Sequence, residues 1–146
     1  MDDERKSPAS GDGRPAPPPE VPERPEDVVL ALERAALDRW AKGDPSGFLE
    51  ICVPGVSYFD PFLERRLDGL DALAAYYESL RGKVHLDGHE LLDPRVILHG
   101  DLAVLTFNYV SWSGPDVCRW NCTEVYRTTS AGWRIGHTHW SRTASR

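Results

Sequence analysis

Cysteine is scarce in this chain, with three residues in 146. An odd count without a C-x-x-C spacing argues against a disulfide framework or a zinc ribbon. Cys118 and Cys122 stand four apart on a strand-like segment. Their Cα atoms would lie ~13 Å apart, whereas a disulfide needs less than ~7 Å. They read as small buried hydrophobes. Long apolar runs are also missing: none approaches ~18 residues, so no segment reads as a membrane span. The N-terminus is acidic and proline-rich and has no apolar centre of a signal peptide, which makes the cytoplasm the expected location. Basic charge is in short supply, 17 Lys and Arg against 23 Asp and Glu, for a net charge of −6. Nucleic acid and anionic membranes require a basic face, so neither is an expected partner. There is no glycine-rich phosphate loop, no dinucleotide fingerprint and no recognisable Ser-His-Asp spacing, and no cofactor is expected.

Proline is plentiful but unevenly placed. Six of the twelve prolines fall in residues 1–24, among few apolar side chains. Such a stretch cannot bury enough surface to offset its ordering entropy, so 1–24 is expected to be a disordered tail and 25–143 the folded domain. Pro25 suits a first helical turn, and Glu26 and Asp27 suit its positive end. Val29, Leu32, Ala36 and Trp40 follow at spacings of three and four, and Gly43 ends the helix. Trp40 is a core anchor on this pattern, or part of a pocket wall. Asp44-Pro45 caps a short second helix to about Cys52, which Pro54-Gly55 breaks. Val56 to Asp60 has strand character, and Glu64 to Leu67 is a short return strand. Asp68 would cap a third helix, in which Leu70, Leu73, Ala74, Tyr77 and Leu80 share a face.

From Val84 the period shifts towards two. A long strand is expected over 84–99, bent near Asp93-Pro94, with a hairpin at Gly100-Asp101 and a second strand from Leu102 to Trp112. Two further strands, 117–128 and 133–142, form a C-terminal hairpin holding three of the five tryptophans. Helices first and a run of strands after them is the signature of an α+β fold, a strongly curved, mainly antiparallel sheet around three N-terminal helices.

Strand parity sorts the side chains. Cys118, Trp120, Cys122, Glu124 and Tyr126 share one face, which is apolar except for Glu124, and Ala103, Leu105, Phe107 and Tyr109 form a matching set on the strand before. These faces should meet the helices. Glu124 is then an acid on an apolar surface, with a pKa raised by desolvation. It either satisfies itself internally, on Arg134 or a tyrosine hydroxyl, or faces a ligand. His137 and His139 point the same way from their strand and could supply two metal ligands, but no third ligand, such as Asp60 or His89, sits at a recognisable spacing, and no metal is expected.

The element order, together with Gly43-Asp44, Tyr58-Phe59-Asp60-Pro61, Asp68-Gly69-Leu70-Asp71 and the Gly132-Trp133…His137-x-His139-x-Ser141 string, resembles the NTF2-like superfamily. The likeness runs from about Asp27 to Thr143 and is nearest to SnoaL-like proteins and to the association (hub) domain of calcium/calmodulin-dependent protein kinase II. It implies a cone-shaped barrel with a pocket at its open end and a homodimer formed through the outer face of the sheet. In the hub domain basic side chains hold acidic ligands; the matching places here carry Tyr109, Glu124 and Trp140. A neutral or weakly basic, partly aromatic ligand suits those residues better. In ketosteroid isomerases and polyketide cyclases of the same fold a pocket carboxylate moves a proton beside a carbonyl, and Asp60 stands at roughly that place in the fold order. Asp60-Pro61 is equally an ordinary turn start. On the last strand parity leaves both faces open. The resemblance puts Trp140 in the pocket and the histidines towards the subunit contact, and a bulge would reverse that; Trp140 inside with His139 near the rim is the expectation.

The expected function is binding of a small organic molecule in the cone. Any chemistry would be acid–base, carried by Asp60 or Glu124, with Trp40, Tyr58, Tyr109, Trp120, His139 and Trp140 about the ligand. The alternative is a non-catalytic assembly module like the kinase hub.

Overall fold

The computed structural model describes Gly13, Pro15 and residues 23–144. The tail expected over 1–24 lies, apart from Gly13, Pro15, Glu23 and Arg24, outside the described residues. Helix α1 (Pro25–Ala41) begins where Pro25 meets Arg24 in extended conformation, with Glu26 and Asp27 in its first turn and Arg39 in its last. Its buried face is Val29, Glu33, Ala36, Leu37 and Ala41. A charged residue thus sits in the middle of the apolar stripe. Helix α2 is a single turn, Ser46–Leu49, shorter than the sequence predicts. Asp44 Oδ1 accepts the Ser46 N–H at 3.0 Å, and its other oxygen takes the Arg39 guanidinium at 2.8 Å. Those bonds hold the Asp44 carboxyl down at about 2.

Strand β1 (Cys52–Phe59) starts four residues earlier than expected and runs through Pro54-Gly55. The expected helix break is instead an edge. β1 pairs with the two-residue β2 (Leu67–Asp68) only at Ser57 and Tyr58, and its pairing with the last strand skips between Cys52 and Ser57. A proline there removes no ladder bond. Asp68 does not cap helix α3 (Leu70–Leu80); the cap position belongs to Gly69 at φ 92°. Asp68 is held in the sheet opposite Ser57, and the Gly69 N–H donates to Val56 O at 2.7 Å, which leaves only a left-handed residue to turn the chain into the helix.

The remaining strands are β3 (Gly88–His99), β4 (Leu102–Ser113), β5 (Asp116–Thr129) and β6 (Gly132–Arg142). β3 starts at Gly88 rather than Val84, and its register shifts between Leu92 and Arg95, where Asp93 takes φ 50° ahead of Pro94. The sheet order is β2-β1-β6-β5-β4-β3, six strands in an open sheet, with one parallel pair, β1 with β6. The helices pack on one face. Ala103, Leu105, Phe107, Tyr109, Cys122, Glu124 and Tyr126 are all buried on that face, while Arg119, Asn121 and Thr123 are exposed on the other. The α+β architecture, its three helices and its curved sheet are those the pattern predicts.

Strand β6 changes face along its length. Ile135 pairs with Tyr126 and His137 with Val125, so Gly136 is an extra residue, a bulge. Before it Ile135 is fully buried; after it Thr138 is buried and Trp140 packs inward. The bulge reverses the parity of the first half of the strand rather than the second.

Candidate functional site

A cavity of about 530 Å³ opens between the helices and the concave face of the sheet. Helices and strands both give it aromatic walls. α1 contributes Trp40, whose ring lies 5.0 Å from Tyr77 of α3. β1 brings Tyr58 edge-on to Tyr77 at 5.5 Å. β4, β5 and β6 bring Tyr109, Trp120 and Trp140, whose rings meet in T-shaped pairs at 5.8 and 6.2 Å. Phe62 stands at the rim, 68% exposed, with its ring 6.0 Å from Trp120. Edge-to-face packing of this kind fixes ring orientation as well as burying area.

Asp60 is the single charged residue in that lining. It follows the last residue of β1 and is half-buried. Tyr58 and Tyr76 both donate their hydroxyls to Oδ2, at 2.9 and 2.6 Å, and the Phe62 N–H donates to Oδ1 at 2.8 Å. Asp60 thus both opens a turn, through the Phe62 N–H, and lines the cavity. Burial first, then the neighbouring Asp60 charge, pushes the Tyr58 phenol up; burial and the bond to Asp60 do the same for Tyr76. Both phenols stay protonated at neutral pH and act as donors. Oδ1 keeps a lone pair for a further donor. Tyr109 adds a second unsatisfied group, a buried hydroxyl with no hydrogen-bond partner.

Glu124 occupies a different place. It is fully buried and is absent from the cavity lining. Its Oε1 accepts the Thr138 hydroxyl at 2.9 Å, and Thr138 Oγ1 in turn accepts Trp140 Nε1–H at 3.1 Å. Through that relay the acid orients a wall ring without touching the cavity. Arg134, one internal partner considered for it, donates instead to the Trp133 carbonyl. The other neighbour is Glu33, also fully buried, which accepts the Tyr126 hydroxyl on Oε2 at 2.6 Å. Glu33 Oε1 and Glu124 Oε2 have no other partner. Desolvation and then the Glu124 charge push the Glu33 carboxyl well up. Desolvation also raises Glu124. Two acids this close out of water cannot both ionise, and one proton between them satisfies both free oxygens.

Cys122 lies beside the pair. Among the described residues Glu33, Cys122 and Glu124 form the one group of three whose ligand-type atoms lie within 4.8 Å of one another. Burial and the two carboxyls push the Cys122 thiol well up, which keeps the sulfur protonated and a poor metal donor. All three cysteines are free.

His139 lies on the outer side of the sheet, exposed, with its ring 5.1 Å from Phe59 and 6.4 Å from His137. His137 Nδ1 is 2.6 Å from Ser57 Oγ. The structure therefore gathers Trp40, Tyr58, Asp60, Tyr109, Trp120 and Trp140 about the cavity, and leaves Glu124 behind its wall and His139 outside it. Two residues escaped the sequence pattern. Glu33 had a signal: it sits four after Val29 and three before Ala36, inside the stripe. Tyr76 had none, because only the packing of α3 across β1 brings it to Asp60.

A family model described as the SnoaL-like domain matches residues 34–135. Among solved structures, a proposed ketosteroid isomerase from Parabacteroides distasonis is 38% identical, with a TM-score of 0.76 over 83% of this chain and 89% of that one. The S. rosetta CaMKII hub is 25% identical, with a TM-score of 0.70 over 84% of this chain and all of the hub. The delta subunit of calcium/calmodulin-dependent protein kinase type II from Oryctolagus cuniculus is 27% identical over 128 residues, 82% of this chain. The chain spans about a quarter of that kinase (24%). The architecture is NTF2-like. No helix among the described residues is long and apolar enough to cross a membrane.

Proposed function

The chain belongs to the SnoaL-like domain family, and from that premise we propose that it binds a small organic molecule in the cone and can perform acid–base chemistry there through Asp60. The observation that carries this reading is a single carboxyl side chain in an aromatic cavity of about 530 Å³, within the size range of small-molecule sites. A carboxylate set beside a bound substrate can take a proton from a carbon next to a carbonyl and return it elsewhere, and the fixed phenols of Tyr58 and Tyr76 hold it in place for that transfer. Likeness to a proposed ketosteroid isomerase at 38% identity supports the same class of chemistry. Glu124 acts in this scheme as a positioning residue, through Thr138 and Trp140.

A thermal-shift screen of small organic molecules tests the proposal. Hits should raise the melting temperature of the unaltered protein. Asp60→Asn should remove turnover of any substrate among them, while Glu124→Gln, which keeps an acceptor for Thr138, should weaken binding only slightly. If Asp60→Asn leaves the binding and turnover of every hit unchanged, the assignment of the site is wrong.

A second reading has its own support in the hub likeness, which covers the whole of the hub. Here the domain assembles copies of itself. Ile97, Trp112 and Val117 are exposed on the outer face of the sheet and supply apolar surface for self-association. Light scattering separates the two: a homodimer favours the small-molecule reading, and a large ring favours the assembly module.

A further inference from the structure

The charge balance of the cavity says more about its occupant than size does. We infer that the molecule it takes is an organic cation, an aromatic or aliphatic body carrying an ammonium group, with the charge beside Asp60 and the body among the rings. This inference rests on the small-molecule reading above and narrows it to one ligand class.

No lysine, arginine or histidine lines the cavity, and Asp60 is its one carboxylate. The three groups that Asp60 holds, two phenols and one backbone N–H, are neutral. They share its charge without cancelling it. A ligand that fills the cavity strips away the water that now solvates that carboxylate. With a neutral ligand the charge is left in a low-dielectric pocket without an opposite charge; with an anion there are two of them. A cation removes the penalty and gains a charge-assisted hydrogen bond to the open lone pair of Oδ1.

The surroundings agree in sign. Outside the lining stand more acids: exposed Asp38, which His89 Nε2 meets at 3.2 Å, and the buried Glu33–Glu124 pair, which shares one proton. After burial, the charge of Asp38 contributes to raising the Tyr109 phenol, so its field reaches the cavity. The rings supply the second half of an ammonium site, because the face of an indole or phenol attracts a cation within about 6 Å of its centroid. Trp120 already does this, with the Arg142 guanidinium carbon 5.1 Å from the ring centroid.

Three indoles that differ only at the end of the side chain test the inference on the unaltered protein: tryptamine (ammonium), tryptophol (alcohol) and indolepropionate (carboxylate). Calorimetry at neutral pH should show tryptamine binding about tenfold tighter than tryptophol, with indolepropionate weakest. Asp60→Asn should bring tryptamine down to the level of tryptophol. The comparison within the unaltered protein stands even if that variant folds poorly, and the preference should shrink as salt is added. Equal binding of tryptamine and tryptophol would overturn the ligand class and leave the cavity reading intact. So would a preference that survives in a folded Asp60→Asn variant. Binding of none of the three would remove both.

Discussion

Two acidic sites lie a few side chains apart in this protein, and they are built on opposite principles. Asp60 is half-buried, accepts three hydrogen bonds and lines the cavity. Glu33 and Glu124 are fully buried, and each has one oxygen without a hydrogen-bond partner. At Asp60 the donors come from the protein and the charge stays. In the core the supply of donors runs out, and a proton takes their place. Aromatic neighbours alone therefore do not mark a functional acid. What separates the two is whether water or a ligand can reach the carboxyl, because that decides whether its charge is available for chemistry or must be neutralised for the chain to fold.

The sharpest way to break this comparison is to delete one member of the buried pair. Glu124→Ala leaves Glu33 Oε1 without a partner and the Thr138 hydroxyl without its acceptor, and opens a void in the core. The expected loss is about 3–4 kcal/mol of unfolding free energy. Asp60→Asn, beside solvent, should lose about 1 kcal/mol or less. Chemical denaturation of both variants checks the contrast, and equal losses would erase it.

A gentler change turns the argument around. In the folded chain Glu33 keeps a proton that the unfolded chain releases near the ordinary glutamate value of 4.5. Above that pH the unfolded state binds fewer protons than the native state. Stability is therefore full below 4.5 and falls as pH rises, by about 1.4 kcal/mol per pH unit for one proton, until the folded pair itself ionises. Glu33→Gln offers an N–H to Glu124 and a carbonyl to Tyr126 with no proton to lose. It should match the unaltered protein near pH 4 and exceed it by about 1–3 kcal/mol at neutral pH. Thermal melts across that range check the sign.

How much of this was legible in the sequence follows from the range of each signal. Periodicity and turn residues act locally, so α1, α3, the hairpins at Gly100 and Gly132 and the inner faces of β4 and β5 could be read directly. The inward turn of Glu124 came from parity on one strand. Its partner did not, because Glu33 and Glu124 are 91 positions apart and no one-dimensional pattern joins them. The start of β1 was misplaced because Pro54-Gly55 suggests a break, and only the sheet order shows that the strand is an edge there. The Gly136 bulge explains why both faces of β6 looked inner: each is, on its own half of the strand. Asp60 was identifiable as an acid after two aromatics, but its clamp was not, since Tyr76 reaches it from another element.

That clamp provides the finest test. Tyr76 and Tyr126 each donate a hydroxyl at 2.6 Å to a carboxyl group, one at the cavity and one in the core. The bonds match in length and in donor, and they differ in what can replace them. When Tyr76→Phe removes the first, Asp60 still has Tyr58, the Phe62 N–H and access to water, so the expected cost is about 0.5–1 kcal/mol. When Tyr126→Phe removes the second, Glu33 Oε2 is left with no donor and no water within reach, at about 2 kcal/mol. Paired denaturant titrations of the two variants should show that difference in midpoint with unchanged slopes. Identical costs would mean that water reaches the core pair as freely as it reaches Asp60, and the distinction between an acid kept for a ligand and an acid neutralised for folding would fail.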